Sequence, residues 1–488
     1  MKAHDEMVSQ IASVICKKSS ERSYKDCSQL GNNSLCGEGI CKIDEKTPNQ
    51  LKYILSDLNK NIFLSACPGS GKTEVVAIKA AYEIARWPHN FSGIAFLTFT
   101  NNAKDVIWDR VHSFLGYGKL GFPHYIGTID SWIHRFFVQP LVYSVTKFQG
   151  RDGDYSIQII DEKSKSSFLN NFQTEKRYEQ GGHIKANQFY FDLYSKEFVF
   201  LSNYGQNGEI RNKINLTNEQ KHDLGKAKNR FFENGFATYA DMEYLCYKLL
   251  CNEAIGRIIS QRFSRIIVDE CQDLSGNQLK ILDKMKYFGS SLHFIGDLDQ
   301  SIYGFKGVNP SSIKNYIEDC QFKKMNLSKS FRSSQQIMDI CQKLVNGGGI
   351  VGNSNPTINF HPTYIQYKDD QIDQLPYFFE SIINNLQNKE ISINNSAILA
   401  RNRNLMYKLR GVNKFEKDII TLYLPYSINL WKKKNLLTLS QLSELLDNIG
   451  KFISTKQMHK CSFNSRELSW FTVKWKNGNR VIVHKQEA

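Results

Sequence analysis

The sequence predicts an α/β protein built on a parallel β-sheet, with a helical subdomain inserted into it and a second region of helix and strand after it. Three observations carry this expectation. Mainly apolar runs at 61–65, 93–99, 125–128, 265–270 and 291–297 have the length and turn-residue boundaries of buried strands. Segments of helical character, Glu74 to Arg86 and Thr100 through Val111, separate the first of these runs, which is the alternation of a parallel sheet. Residues able to do chemistry stand at the C-terminal ends of the runs, where such sheets bind ligands.

In chain order, residues 1–46 are polar and carry Cys16, Cys27, Cys36 and Cys41. Their spacing matches no common zinc pattern, so a loosely packed extension is expected, with metal binding by these thiols as the alternative. Thr47-Pro48-Asn49-Gln50-Leu51 opens a helix, since Thr47 can cap and Pro48 suits a first turn. The 61–65 run then leads into Ala66-Cys67-Pro68-Gly69-Ser70-Gly71-Lys72-Thr73. Strand, glycine-rich turn, Lys-Thr and helix form the order that a phosphate-binding loop requires. Gly69 and Gly71 let backbone N–H groups approach a polyphosphate, Lys72 would reach the β- and γ-phosphates, and Thr73 would ligate Mg²⁺. A chance glycine turn is the competing explanation, and the strand–turn–helix context argues against it.

Tyr125–Thr128 is a further short strand, opening a helix near Asp130 that runs past His134 and Phe137. Residues 140–236 break the rhythm, being longer, more polar and lysine-rich, and are expected to form the inserted helical subdomain. A helix at Tyr239–Leu250 returns the chain to the sheet. Asp269-Glu270 closes the 265–270 run, placing a magnesium-holding and a water-polarising carboxylate where the phosphate loop needs them. Beyond Asn326 a helix is expected around Gln335–Val345, a strand at Ser396–Ala400, and a terminal hairpin around Asn477-Gly478.

Composition bounds the function. The 488 residues suffice for about two to four compact units. With 41% apolar and 23% charged residues the chain is globular rather than disordered. A net charge of +15 points to a polyanionic partner, nucleic acid most simply, against the alternative of a solvated lysine-rich surface. The 23 Tyr and 31 Phe include candidates for base stacking, although most must be core. Eleven cysteines without a secretion signal fit reduced thiols, no run is long enough for a membrane span, and a cytoplasmic location is expected.

Seven ordered segments over residues 47–334 carry a resemblance. Asp269-Glu-Cys-Gln-Asp273 and Gly296-Asp-Leu-Asp-Gln-Ser-Ile-Tyr-Gly-Phe-Lys-Gly307 resemble the DExQD and GDxDQSIYxWRG motifs of the UvrD/Rep/PcrA branch of superfamily 1 helicases. Asn49-Gln50 resembles its adenine-reading Q motif, and Ala66–Thr73 its AxxGxGKT loop, which accounts for Ala66 in place of glycine. Thr98–Ala103, Gly127–Ser131 and Leu327–Ser334 resemble TFTNKAA, GTFHS and LxxNYRS.

The resemblance implies a RecA-like P-loop NTPase domain using ATP and Mg²⁺. It would comprise residues 47–139 and 237–325, with a partial second RecA-like domain at 326–425 and a divergent tail or start of a second insertion at 426–488. It implies that Gln50 contacts adenine, Phe331 stacks on it, Gln300 senses the γ-phosphate, and Arg332 reaches from the second domain to the transferring phosphoryl group. It implies that Phe99, Tyr303 and Phe305 stack on single-stranded bases and that Thr128 and Lys306 touch the DNA backbone. Phe305 and Lys306 replace the usual Trp and Arg, Phe331 the usual Tyr, and Glu74 a frequent Arg. The family's last two motifs, with their second arginine finger, are not found in residues 335–488.

The implied function is an ATP-dependent 3′–5′ DNA helicase or translocase acting on single-stranded or partly duplex DNA. The alternative is a nucleotide-gated DNA-binding subunit with weak ATPase, partnered by a nuclease or another protein in a repair or antiphage defence (Gabija-like) complex. The missing motifs fit a truncated second half, one supplied by a partner chain, or a divergent version.

Overall fold

The computed structural model describes residues 2–16, 41–115, 121–150, 154–162, 164, 166–178, 182–200, 216–300, 310–344, 349–353, 365–385, 396–400, 403–409, 471–476 and 479–484. Tyr303, Phe305, Lys306, Cys27 and Cys36 lie outside the described residues. The chain divides into two compact units, Met1–Ile358 and Asn359–Ala488.

The first unit is organised on six parallel strands: β1 (Ile62–Ala66), β2 (Gly93–Thr98), β3 (Tyr125–Thr128), β4 (Phe263–Val268), β5 (Ser291–Gly296) and β6 (Lys323–Leu327). Their order is β6-β1-β5-β4-β2-β3, with every pair parallel. Alternate side chains enter opposite cores, as the period of two along a strand dictates. Ile62, Leu64, Ala66, Ile94, Phe96, Ile267 and Ile295 face one core, whereas Phe63, Ala95, Leu97, Ile266, Val268 and Phe294 face the other. With both faces covered, the open part of the sheet is its C-terminal edge, where Ala66, Thr98, Val268 and Gly296 lead out of their strands and Thr128 caps the next helix. The sixth strand carries the sheet through Leu327, just beyond the boundary expected at 325.

The described parts of the N-terminal extension, residues 2–16 and 41–46, pack against the sheet's core rather than loosely. Helix α1 (Lys2–Ile15) buries Val8, Ile11, Ala12 and Ile15 in the same core as β1, and Cys41 and Ile43 follow them. Those four apolar residues fall at the i, i+3, i+4, i+7 spacing of an amphipathic helix. Among the described residues no group of three or more His, Cys, Asp or Glu is gathered to hold a metal ion.

Helix α2 (Pro48–Ile54) starts as its sequence dictates. Thr47 accepts from the Gln50 backbone N–H at 3.4 Å, and the Gln50 side chain accepts from the Thr47 N–H at 2.7 Å. Helix α3 (Lys72–Ala85) follows the phosphate loop and is buried from Val75 to Ile84.

Residues 140–236 differ from the all-helical expectation. Their one long helix among the described residues is Asn218–Glu233; Phe189–Asp192 and Glu197–Phe200 form an antiparallel ribbon, and Gln158–Ile159 pairs with Phe236–Ala237. Aromatic side chains drive the ribbon: Phe189 and Phe191 both meet Phe198, with centroids 5.7 and 5.3 Å apart. Lys228 and Asp241 form a buried ion pair of 2.7 Å that joins this region to the helix Tyr239–Leu250.

The helix Gln335–Leu344 forms as expected. In the second unit, Ser396–Ala400 does not form the expected strand, and no described strand pairs with it. Strands Phe471–Lys476 and Asn479–His484 pair antiparallel with Lys476 opposite Asn479, the register of the expected hairpin. Among the described residues no helix is long and apolar enough to cross a membrane.

Candidate active site

The loop after β1 is held from three sides. Cys67 N–H donates to Leu327 O at 3.1 Å, and Ser70 N–H donates to Cys67 O at 3.1 Å. Gly69 and Gly71 have φ of +73° and +77°, which no Cβ-bearing residue adopts cheaply. Gly71 is also the N-cap of α3, so the positive end of that helix and its first-turn N–H groups face the loop. Ala66 and Cys67 are buried, Pro68 is half-buried, and burial pushes the Cys67 thiol up to about 11. Glu74, outside the loop, pairs with Arg110 at 2.6 Å.

Asp269 and Glu270 follow β4, the strand next but one to β1. Asp269 N–H donates to Leu97 O at 2.8 Å, fixing the chain where it leaves the sheet. Glu270 then adopts a left-handed conformation, φ +55°, an uncommon backbone state that swings its carboxylate toward the loop. There Lys72 Nζ lies 2.7 Å from Glu270 Oε2. Asp269 is 2% exposed, and its carboxyl is pushed up to about 7 by burial first and by the neighbouring Glu270 second, Lys72 opposing. Two close carboxylates against one lysine leave a deficit of positive charge, and Thr73 stands in the first turn of α3 as an oxygen donor. That donor set fits Mg²⁺, which takes few protein oxygens and completes its shell with water and phosphate.

A continuous chain of hydrogen bonds leads away from Glu270. Gln272 Nε2 donates to Glu270 Oε2 at 2.9 Å, and Asp297 N–H donates to Gln272 Oε1 at 3.1 Å. Gln300 Nε2 donates to Asp297 Oδ2 at 2.6 Å. Gln272 and Asp297 escaped sequence reasoning as site residues, although each lies inside one of the motif segments.

The segment Lys329–Ser334 packs onto the loop from a third direction. Phe331 N–H donates to Gly69 O at 2.9 Å, and a Cβ on Gly69 would stand 2.6 Å from Arg332 Cβ and 2.7 Å from Ser330 Oγ. The absence of a side chain at 69 is therefore what admits this arm. Phe331 is 41% exposed with Lys329 Nζ 5.2 Å from its ring centre, and the Arg332 side chain is exposed. Both residues belong to the first unit.

Gln50 is 3% exposed, and its amide is committed: besides capping α2 it donates from Nε2 to Ser70 O at 2.9 Å. In this arrangement it braces the loop backbone. Phe99 and Thr128 stand together at the C-terminal ends of the paired strands β2 and β3, where Thr98 lies opposite Thr128. Phe99 packs partly against the core. Thr128 Oγ1 caps the helix Ile129–Ile133, accepting from Ser131 N–H at 3.2 Å and donating to Ser131 Oγ at 2.7 Å. The structure thus brings Gln50, Ala66–Thr73, Asp269, Glu270, Phe331 and Arg332 around one loop, links Gln300 to it through Asp297, and sets Phe99 and Thr128 further along the same sheet edge.

Comparison with known proteins agrees with this geometry. Residues 46–321 match the family model of the UvrD/REP helicase N-terminal domain. The chain is 25% identical over 313 residues to DNA helicase II of Haemophilus influenzae, covering 62% of this chain and 40% of that protein. It is 22% identical over 447 residues to the ATP-dependent DNA helicase Rep of Buchnera aphidicola, covering 87% of this chain and 65% of that protein. It is also 24% identical over 322 residues to an ATP-dependent helicase/nuclease subunit of Carboxydothermus hydrogenoformans, covering 58% of this chain and 26% of that protein. The chain therefore spans less than two thirds of the length of each of these relatives.

Proposed function

The chain belongs to the UvrD/Rep helicase family, and from that membership and the geometry of the site we propose that it hydrolyses ATP while bound to single-stranded DNA, as a translocase or helicase in the cytoplasm. The observation that carries the proposal is the convergence of Lys72, the Asp269–Glu270 pair and the Phe331–Arg332 arm on one phosphate loop. Each has a part in the hydrolysis. Lys72, the loop N–H groups and the α3 N-terminus hold the β- and γ-phosphates. Phe331 offers an exposed face for adenine. Glu270 takes the proton of the attacking water as its oxygen bonds to the γ-phosphorus and the bond to the β–γ bridging oxygen breaks. Arg332 would stabilise the charge that spreads over the transferring group. Thr73 and Asp269 would hold Mg²⁺, which supplies charge neutralisation when bound.

DNA is proposed to lie along the C-terminal sheet edge, touching Phe99 and Thr128, with Tyr303, Phe305 and Lys306 from the segment after Gln300. Residues 47–139 and 237–325 would form the first RecA-like domain, and 326–425 an incomplete or divergent second one. The test is titration of a labelled single-stranded oligonucleotide with and without a non-hydrolysable ATP analogue over a salt series. Nucleotide should change the DNA affinity severalfold, and affinity should fall steeply with salt as phosphate contacts release counterions. Equal affinity at every salt concentration, with or without nucleotide, would contradict the proposal.

A further inference from the structure

We infer that Gln272 is a positioning residue for the hydrolytic carboxylate, tying Glu270 to the segment that carries Gln300; the inference rests on the proposed ATPase activity. Gln272 is 5% exposed, and its two polar atoms have separate duties. Its Nε2 donates to Glu270 Oε2 and its Oε1 accepts the Asp297 N–H, so one amide spans from the end of β4 to the end of β5. The side chain has no room to leave this position toward β5. A Cβ on Gly296 would stand 2.2 Å from Gln272 Oε1 and 2.9 Å from Cys271 Sγ, so glycine at 296 is the condition for the amide to sit there.

The chemistry follows from which atoms are shared. Lys72 and Gln272 donate to the same oxygen of Glu270, at 2.7 and 2.9 Å. A polyphosphate in the loop competes for the Lys72 ammonium, because it offers several anionic oxygens to that cation. When Lys72 turns to phosphate, Glu270 loses the contact that holds and partly neutralises it. Gln272 then keeps the carboxylate oriented through a neutral donor. The other carboxylate oxygen is left for water. Because Asp297 also holds Gln300 at 2.6 Å, a shift of the Gln300 segment moves the acceptor end of Gln272 and, through it, Glu270. The amide therefore connects that segment to the placement of the base.

Two substitutions separate this role from simple bracing of β5. Gln272→Met has a similar length and makes neither hydrogen bond. Gln272→Glu keeps an oxygen for the Asp297 N–H but, ionised, cannot donate to Glu270. Full-length chains are compared for kcat and KM of ATP hydrolysis with single-stranded DNA present, and for equilibrium binding of a fluorescent ATP analogue. The expected result is a fall in kcat on the order of 10²-fold in both variants, the effect of a misplaced reacting group, with nucleotide affinity within about threefold of the unsubstituted chain. Wild-type kcat in Gln272→Glu would overturn the inference, since bracing alone would then explain the contact. Loss of nucleotide binding in both variants would overturn it as well, by showing that Gln272 supports the loop instead of the carboxylate. Absence of hydrolysis in the unsubstituted chain would overturn the ATPase reading itself, and the positioning role with it.

Discussion

Glu270→Gln is expected to bind ATP about as well as the unsubstituted chain and to hydrolyse it about 10²–10⁴-fold more slowly, the range that a positioned general base contributes. The substitution is nearly isosteric. It keeps the left-handed turn at 270 and keeps an oxygen to accept from Lys72 Nζ, 2.7 Å from the carboxylate, but that side chain can no longer take a proton from water. Little stability should be lost, because glutamine fills the same space and still accepts from Lys72 Nζ. Lys72→Ala makes the contrast: it would remove the proposed phosphate contact as well as the partner of Glu270, so binding and hydrolysis should fall together. Measuring nucleotide affinity beside turnover distinguishes the two, and unchanged turnover in Glu270→Gln would remove Glu270 from the site.

Arg332→Ala should be as severe for a different reason. Arginine fingers in phosphoryl transfer supply about 10³–10⁵ in rate by stabilising charge that develops in the transition state. Arg332 suits this role because its Cβ sits against Gly69 while its side chain remains exposed. Alanine keeps that Cβ, so the arm should stay seated on the loop and the loss should appear in kcat with ATP affinity little changed. Arg332→Lys should recover part of the rate, since lysine supplies charge without the planar fork. A turnover within about twofold of the unsubstituted chain in Arg332→Ala would show that another cation serves the γ-phosphate.

The parts of the site legible in the sequence are those encoded by contiguous residues. The phosphate loop, the helix start at Thr47-Pro48 and the strand-end carboxylates each need only a few neighbouring positions, and the structure has the corresponding turn, cap and strand end there. The central strands were legible for a similar reason, as both faces of a parallel sheet are buried and leave dense apolar runs. What escaped depended on contacts distant in sequence or on a pattern of mixed character. The α1 stripe of Val8, Ile11, Ala12 and Ile15 was masked by the polar residues between them, although its spacing was present. The Phe189–Phe200 ribbon lay in a lysine-rich stretch whose overall polarity suggested exposed helices, while its aromatic pairs form only once the ribbon folds back. Gln272 reads as one letter of a motif until Asp297 N–H is found 3.1 Å from its Oε1. Gln50 shows the converse: the resemblance implies an adenine contact, and the structure engages its amide with Ser70 O.

The most direct test of the proposed ATPase is steady-state ATP hydrolysis by the purified chain, with and without single-stranded DNA. The site, with Lys72, Glu270 and Arg332 gathered around one loop and Gln300 tied to it through Asp297, predicts measurable hydrolysis that single-stranded DNA raises at least about tenfold and that Glu270→Gln lowers about 10²–10⁴-fold. Tight ATP binding with negligible turnover, unchanged by DNA, would contradict it.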